Sequence, residues 1–361
     1  MLKLFCGVVL TLCTVLGPCA QAASVLFLNP GSTQEAFWVS FSQFMQAAAK
    51  DLGMDLRIVY ADREPEVVID QAREALQGPN RPDYLVFVNE QYVAPQILRL
   101  AQGSGVKLFM VNSAFTADQT RLLGSQPDKL PDLLGSLVPN DEEGGYLMLK
   151  ELIRLKGPVA PGQVIELLAF SGLKITPSAQ LREKGMKRAL AKHPEVRLRQ
   201  LVYSGWSRER AYEQAKLLFR RYPQTSLVWS ANDEMAFGAM QAYTEVGGKP
   251  GKGALFSAVN NSPPALQAFL DGRLSVLLGG HFSLGGWALV QLHDYAQGVD
   301  ASQYGGRDLQ IPVLQLINRA QAKQLLALSA TQNYGVNFRK LSAKGRPASY
   351  RYPFNLQTLI H

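Results

Sequence analysis

Short apolar segments alternate with amphipathic segments of helical period along most of this chain, and this alternation restricts the fold more than any other feature. It begins with a predicted strand at Ser24–Leu28, a helix at Phe37–Leu52 and a second strand at Asp55–Tyr60. Strands separated by helices form parallel sheets that are covered by helices. The sequence therefore predicts an α/β protein.

The alternation occurs in two series, which predicts two lobes. An irregular stretch at Thr116–Pro139 separates them, a helix at Glu142–Arg154 starts the second series, and Gln310–Leu316 is predicted to be a late strand. A chain of 361 residues with 47% apolar residues also exceeds the roughly 250 residues at which single cores stop growing.

The first 23 residues have the three regions of a secretory signal peptide. A basic start at Lys3 precedes the apolar run Leu4–Leu16, and Ala20 and Ala22 fit the small-residue rule for cleavage. We therefore expect residues 1–23 to be removed and the mature protein to be exported to the periplasm. The alternative, a lipoprotein anchored through Cys19, is less favoured because a proline precedes that cysteine.

Composition excludes several classes of function. All three cysteines lie in the predicted leader, which leaves no disulfide framework and no thiol nucleophile. The formal charge is +8, but the basic residues are dispersed apart from a basic C-terminal tail, so nucleic acid is not an expected partner. No cofactor motif and no metal-ligand spacing is present, and we expect a monomer without a cofactor or metal.

Polar residues follow a buried strand where a helix begins. The strand around Val228 and Trp229 leads into Asn232-Asp233. Ligands of open α/β sheets bind outside the carboxyl ends of parallel strands. We expect Asp233 to cap the helix and Asn232 to face a solute; a capped turn without a ligand is the alternative.

Three further asparagines follow predicted strands: Asn89, Asn112 and Asn260. Each amide offers both donors and an acceptor, which matches the hydroxyl groups of a sugar-like solute. Asparagine is also a common turn former, so each position taken alone is open to that second interpretation.

Five segments together resemble the type I periplasmic solute-binding proteins, the family of ribose-, galactose- and autoinducer-2-binding proteins. They are Pro30–Trp38, Glu142–Gly145, Ser178–Met186, Ala231–Ala239 and Asp271–Leu274. The resemblance reaches about Val336 and implies two Rossmann-like lobes with parallel sheets, joined by three crossovers, with the ligand cleft between them. Repressors that share this fold carry an N-terminal DNA-binding segment where this chain has the predicted leader.

The resemblance also implies how the chain is divided. The N-terminal lobe is expected to hold residues 24–138 and 283–309, and the C-terminal lobe residues 139–282 and 310–340. Residues 341–361 remain as a C-terminal extension.

By position, the resemblance assigns ligand contacts to Glu35, Phe37 and Trp38 after the first strand, and to Trp206 and His281 in the second half. Departures from the ribose-binding pattern are equally informative. The family's charged positions are here Asn112, Gln180 and Asn260, whereas Arg182 is retained at a position that is more often structural. We therefore expect a ligand that is polar and neutral.

We thus predict a periplasmic solute-binding protein that closes on a small neutral, sugar-like or autoinducer-like ligand. It would present that ligand to an inner-membrane ABC permease or to a membrane signalling receptor. The alternative is a dedicated sensor subunit of a histidine kinase or diguanylate cyclase, without a transport role. An enzyme is not expected, because the acidic group Asp141–Glu143 stands at a helix start, where it complements the helix dipole.

Overall fold

The computed structural model describes residues 22–123, 130, 132–331 and 334–360; nearly all of the predicted signal peptide lies outside them. The strands are β1 Ser24–Asn29, β2 Asp55–Tyr60, β3 Tyr84–Phe87, β4 Lys107–Val111, β5 Leu133–Pro139, β6 Ile165–Ser171, β7 Val196–Tyr203, β8 Thr225–Ser230, β9 Leu255–Val259, β10 Val276–Gly279, β11 Asp308–Ile311 and β12 Gln315–Leu316. The helices are α1 Ala36–Leu52, α2 Pro65–Gln77, α3 Ala94–Ala101, α4 Ala117–Leu123, α5 Asp141–Lys156, α6 Pro177–Leu190, α7 Arg208–Arg221, α8 Asp233–Glu245, α9 Pro263–Leu270, α10 Leu284–Ala296 and α11 Arg319–Thr331.

The strands form two six-stranded sheets of the same design. One has the order β11-β5-β4-β3-β1-β2 and the other the order β12-β10-β9-β8-β6-β7. All neighbouring pairs are parallel except β10 and β12. In each sheet the strand order reverses beside the first strand of the series, at β1 and at β6. Such switch points are where doubly wound sheets bind ligands.

The chain passes between the two sheets three times, after β5, after β10 and after β11. The predicted late strand Gln310–Leu316 is wrong in one respect, because the structure divides it. Its start pairs with β5 in the first sheet, and its end pairs with β10 in the second. Pro312 stands between the two parts and has no N–H with which to continue a ladder.

The inner strands of both sheets are buried because they are almost wholly apolar, whereas the edge strands β2, β7, β11 and β12 are partly exposed. All four residues of β3 are buried, as are five of the six residues of β8. Strands that are covered by helices on both faces are expected to be continuously apolar in this way. The stretch Thr116–Pro139, which was predicted to be irregular, contains helix α4 and strand β5.

Residues 334–360 form a C-terminal tail that lies against the N-terminal lobe. The Phe338 amide donates to Asp51 of α1 at 2.7 Å, and Phe354 stacks on Trp287 of α10 with ring centroids 5.3 Å apart. The sequence predicts that residues 310–340 belong to the C-terminal lobe. The structure differs, because α11 packs on α9 of that lobe whereas the tail from Tyr334 onwards packs on the other.

The far end of the tail reaches the crossovers. Leu356 is fully buried and lies against Gly280, which directly follows β10. Gln357 donates a side-chain hydrogen bond to Gln315 of β12 at 3.1 Å. The tail therefore contacts the N-terminal lobe, a crossover and the second sheet.

Within the described ranges, no helix combines the length and the apolar character needed to cross a membrane.

Candidate functional site

A cavity of about 250 Å³ lies between the lobes, where the carboxyl ends of the two sheets face each other. Both lobes contribute to its walls. The lining residues are Gln34, Glu35, Ala36, Phe37, Trp38, Arg63, Glu90, Asn112, Ser178, Arg182, Trp206, Asn232, Asp233, Glu234, Asn260 and His281.

Two tryptophans form equivalent walls, one in each lobe. Trp38 lies over Gly31, just after β1, and Trp206 lies over Gly172, directly after β6. A Cβ atom on Gly31 would be 1.9 Å from the Trp38 ring, and one on Gly172 would be 2.2 Å from the Trp206 ring. Glycine is therefore required at both positions for the indole rings to lie flat against the ends of the strands.

A charged group lies on the N-terminal side of the cavity. Arg63 donates to both carboxylate oxygens of Glu35 and, at 2.7 Å, to Glu90. Its guanidinium carbon lies 5.8 Å from the Trp38 ring centroid and 6.0 Å from the Trp206 centroid, so it spans the space between the two walls. A cation over an indole face is electrostatically stabilised.

Burial and pairing act against each other in this group. Burial lowers the pKa of Arg63, but the charges of Glu90 and Glu35 raise it more, so the net pKa is above the ordinary value. Burial raises the pKa of Glu90, and the positive charge of Arg63 opposes this shift only in part. The guanidinium thus remains charged, which fixes its position between the tryptophans.

The C-terminal lobe contributes a second fixed guanidinium. Arg182 is buried, donates to Asp141 at 2.7 Å and to the carbonyl of Ala231 at 2.7 Å, and lies 5.8 Å from the Trp206 ring centroid. Burial raises the pKa of Asp141, and Arg182 opposes that shift. Arg182 therefore both lines the cavity and connects helices α5 and α6 to the end of β8.

Asp233 is held by its neighbours at the end of β9. Asn260 donates to it at 2.6 Å, and the Ser262 hydroxyl donates to its other oxygen. Burial raises the pKa of Asp233, whereas these hydrogen bonds lower it in part. The carboxylate is thus rigidly placed at the cavity wall.

Four lining residues have left-handed backbone conformations although they are not glycine. Their φ angles are +67° for Arg63, +63° for Asn112, +68° for Trp206 and +130° for Asn260. Such conformations cost of order 1–3 kcal/mol each and persist where the surroundings enforce them, typically at functional sites. Four such residues line this one cavity. The surrounding structure therefore holds their side chains in fixed directions at a cost in backbone free energy.

Four polar atoms of the cavity walls are buried and have no hydrogen-bond partner within the described residues. They are Trp38 Nε1, Asn112 Oδ1, Trp206 Nε1 and His281 Nδ1. His281 stacks on Phe37 with ring centroids 4.4 Å apart, and burial together with the charge of Arg182 holds its pKa well below the ordinary value. The cavity thus presents donors and an acceptor from both lobes.

Nine of the eleven predicted site residues line this cavity: Glu35, Phe37, Trp38, Asn112, Trp206, Asn232, Asp233, Asn260 and His281. The structure brings them together from six separate segments of the chain. Their roles toward a ligand remain predictions.

Asn89 does not line the cavity. Its side-chain oxygen accepts from the Ala94 amide at 3.0 Å, and its amide group donates to the Ala114 carbonyl and to Gln119. The residue is fully buried and joins β3 to α3 and to the segment after β4. The structure therefore favours the turn-forming interpretation of this asparagine.

Gln180 also lies outside the cavity. Its amide donates to the Tyr92 hydroxyl at 2.8 Å and to the Lys174 carbonyl at 3.0 Å. Because Tyr92 belongs to the N-terminal lobe and Gln180 to α6, the first of these bonds joins the lobes across the cleft.

The expected capping arrangement at α8 is wrong and must be reversed. Asn232, not Asp233, is the N-cap: its side-chain oxygen accepts from the Met235 amide at 2.9 Å, while its amide donates to the Trp206 carbonyl at 3.2 Å. Asparagine has a side-chain oxygen that reaches this amide as well as aspartate does. Asp233 instead lies in the cavity wall.

Sequence reasoning missed Arg63 and Glu90, which line the cavity. Charges are absent at Asn112 and Asn260, but Arg63, Glu90 and Arg182 line the cavity. Arg63 follows β2 closely and Glu90 follows β3, so the strand-end rule that selected the asparagines would also have found these two residues.

The described ranges hold no group of three or more His, Cys, Asp or Glu side chains arranged for a metal ion.

A search for similar proteins defines the class. The chain matches the periplasmic binding protein domain family over residues 25–300. A solved structure of a periplasmic sugar-binding protein from Pseudomonas fluorescens is 62% identical in sequence, with a TM-score of 0.87, and the alignment covers 94% of this chain and 100% of that one.

Two more distant relatives each align over more than two thirds of their own length. The galactofuranose-binding protein YtfQ of Escherichia coli is 25% identical over 266 residues, which is 70% of this chain and 76% of that protein. A D-apiose import binding protein of Paraburkholderia graminis is 24% identical over 233 residues, 64% of this chain and 69% of that protein.

The fold and the cleft thus define a two-lobed α/β solute-binding protein, and the family that the chain matches consists of non-enzymatic solute-binding proteins. The chain belongs to the periplasmic binding protein family, as the resemblance of its motifs implied.

Proposed function

We propose that the cavity binds one sugar of monosaccharide size and that the lobes close over it. A volume of about 250 Å³ is slightly below the roughly 300–1,000 Å³ of pockets for drug-sized ligands, which suits a small solute. The 62% identical relative is described as a periplasmic sugar-binding protein, and the curated relatives bind galactofuranose and D-apiose by name.

The observation that carries the proposal is the set of four unpaired polar atoms on the walls of one cavity. A buried donor or acceptor without a partner costs about 1–3 kcal/mol, so their concentration at one place supports a ligand with hydroxyl groups. Because the atoms come from both lobes, a ligand that pairs with them stabilises the closed form over the open one.

The aromatic rings of the cavity supply apolar contacts in addition to the hydrogen-bonding groups. The apolar C–H faces of a sugar ring are suited to the indole rings of Trp38 and Trp206, and its hydroxyl groups to Asn112, Asp233 and His281 at the cavity wall. Arg63 and Glu35 act as a fixed charged pair beside these contacts rather than as a free charge. An uncharged ligand fits this arrangement because the Arg63 guanidinium is already ion-paired with both Glu35 and Glu90.

Export and delivery follow from the same comparison. Residues 1–23 are proposed to direct the chain to the periplasm, where the closed protein would present its sugar to an ABC permease. The relatives that are named for import favour a permease over a sensor kinase or cyclase as the partner.

The proposal is tested by calorimetry on protein that has been unfolded and refolded to release any bound solute. We expect one or more members of a panel of aldopentoses, aldohexoses and furanose sugars to bind. Trp38→Phe and Trp206→Phe each remove one unpaired indole N–H, and each should weaken binding about 2–10-fold.

Trp287→Phe is the matched control. It also removes a buried unpaired indole N–H, but Trp287 lies in the core beside Phe354, away from the cavity. Its dissociation constant should equal that of the unmodified protein. Absence of binding across the sugar panel, or equal weakening by all three variants, would contradict the proposal.

A further inference from the structure

A second cavity adjoins the first in the cleft between the lobes. It encloses about 420 Å³ and shares Asn112 and Ser178 with the first cavity. Phe115 of the N-terminal lobe and Pro177 and Leu181 of the C-terminal lobe form apolar parts of its walls. The second cavity is therefore larger than the proposed sugar site and adjoins it. Asn112 and Ser178 form the boundary between the two cavities.

Two buried polar atoms at this junction have no hydrogen-bond partner within the described part of the chain. They are Asn112 Oδ1, on a residue that lines both cavities, and Ser113 Oγ, on a residue that lines only the second. Asn112 is 5% exposed and Ser113 is 3% exposed. Burial without a partner is unfavourable, so these atoms indicate a polar group on a ligand that passes the junction.

The walls of the second cavity combine an aromatic ring and aliphatic side chains with many polar groups, among them the charged Asp118, Asp141 and Lys184. Phe115, Pro177 and Leu181 supply apolar surface, while Ser113 and Gln180 supply polar groups. Sugar rings have both apolar C–H faces and hydroxyl groups, and ligand sites pair apolar walls with polar groups. The composition thus resembles that of a site for a sugar residue.

We propose that the second cavity is a subsite for a second sugar residue, so that the protein takes a disaccharide or a similar glycoside in preference to the free monosaccharide. This inference rests on the proposed sugar-binding function of the first cavity. The sugar in the first cavity carries the second residue through its glycosidic oxygen, which lies at the junction beside Asn112 and Ser178.

Matched pairs of sugars test the subsite by calorimetry. The pairs are D-galactose with lactose and melibiose, D-glucose with maltose and cellobiose, D-xylose with xylobiose, and L-arabinose with arabinobiose. We expect at least one disaccharide to bind 10-fold or more tightly than either of its free monosaccharides. Ser113→Ala should weaken that disaccharide about 2–10-fold and leave monosaccharide binding unchanged.

Filling the subsite provides a second readout. Leu181→Trp places a large ring in the second cavity but not in the first, and should remove the preference for the disaccharide while monosaccharide affinity stays within twofold. Ile175→Trp is the control, because Ile175 is 46% exposed, stands just before the same helix and is not among the residues that line either cavity. It should leave both affinities unchanged.

The outcomes separate the two proposals. If monosaccharides bind and no disaccharide binds more tightly, the subsite is overturned and the proposed function stands. If the preference for a disaccharide survives Leu181→Trp, the second residue lies elsewhere and the subsite is again overturned. If no sugar of either kind binds, both proposals fail.

Discussion

The Gln180 side chain donates a hydrogen bond of 2.8 Å to the Tyr92 hydroxyl and thereby joins the two lobes across the cleft. Tyr92 has a left-handed backbone, with a φ of +65°, and is partly exposed. If the lobes close over a ligand as proposed, this bond forms only in the closed state, so its free energy contributes to closure and not to the fold of either lobe.

Tyr92→Phe should therefore weaken ligand binding without a loss of stability. A neutral hydrogen bond contributes about 0.5–1.5 kcal/mol, which corresponds to an increase of roughly 2–10-fold in the dissociation constant. Stopped-flow fluorescence should show this mainly as faster ligand release. Tyr350→Phe removes a hydroxyl whose bond, to the Leu341 carbonyl, lies within the tail, and should leave the release rate unchanged.

Gly172→Ala should displace the Trp206 ring, because the added Cβ would be 2.2 Å from that ring. We expect weaker binding, since the ring forms one wall of the cavity. A double-mutant cycle identifies the cause: Gly172→Ala should have little further effect in a Trp206→Ala background, because residues in contact are not additive. Additive losses would show that Gly172 acts on binding by another route.

Variants at Asn232 separate its two hydrogen bonds. Asn232→Ala removes the cap of α8 and should cost about 1 kcal/mol of unfolding free energy. Asn232→Ser keeps a capping oxygen but loses the donor to the Trp206 carbonyl, so it should stay close to wild-type stability and still weaken binding. Urea unfolding and calorimetry on both proteins test this. Wild-type affinity in the serine variant would show that the carbonyl contact does not position Trp206.

His281 should make the stability of the ligand-free protein depend on pH. Burial and Arg182 lower its pKa in the fold, so between its lowered pKa and about 6.5 the unfolded chain binds more protons than the folded one. Its contribution to stability therefore falls as the pH decreases through 6.5, by at most about 1.4 kcal/mol per pH unit. The buried Glu90, Asp141 and Asp233, whose pKa values are raised, have the opposite sign: their contribution falls as the pH rises.

Urea unfolding at pH 5, 6 and 7 of wild type and His281→Gln isolates the histidine, because the carboxylates are common to both. The variant should lose less stability than wild type between pH 7 and pH 5. His193→Gln, at a partly exposed position, is the control. Equal pH slopes in wild type and His281→Gln would contradict the burial of a neutral imidazole.

The order of strands and helices could be predicted from the sequence because local signals agreed with the fold. Strand β2, Asp55–Tyr60, coincides with its predicted bounds, and helix α1 begins one residue before its predicted start at Phe37. Failures occurred where the partner is distant in sequence. Strand β5 includes Gly135, whose φ of +154° obscures its pattern. Strands β11 and β12, predicted as one strand, belong to different sheets and are separated by three residues that include Pro312.

The part of the site that follows the carboxyl ends of strands was predictable from the sequence, because ligands of parallel sheets bind there. The rule selected Asn112 and Asn260 correctly as cavity-wall residues but could not distinguish them from Asn89, whose amide is used by buried backbone groups. It also could not decide which of Asn232 and Asp233 caps α8, because both residue types cap helices well. Arg63 and Trp206 are distant in sequence, so no local sequence pattern predicts the contact between them.

The C-terminal tail has a practical consequence for measuring ligand binding. Because Leu356 lies behind Gly280 and Gln357 bonds to Gln315, the tail spans a crossover between the lobes. A pair of fluorescent labels on residue 357, which is exposed, and residue 315, which is partly exposed, would change separation when the lobes move about this crossover. Such a reporter would read out binding of an unknown solute without altering any side chain in the cleft.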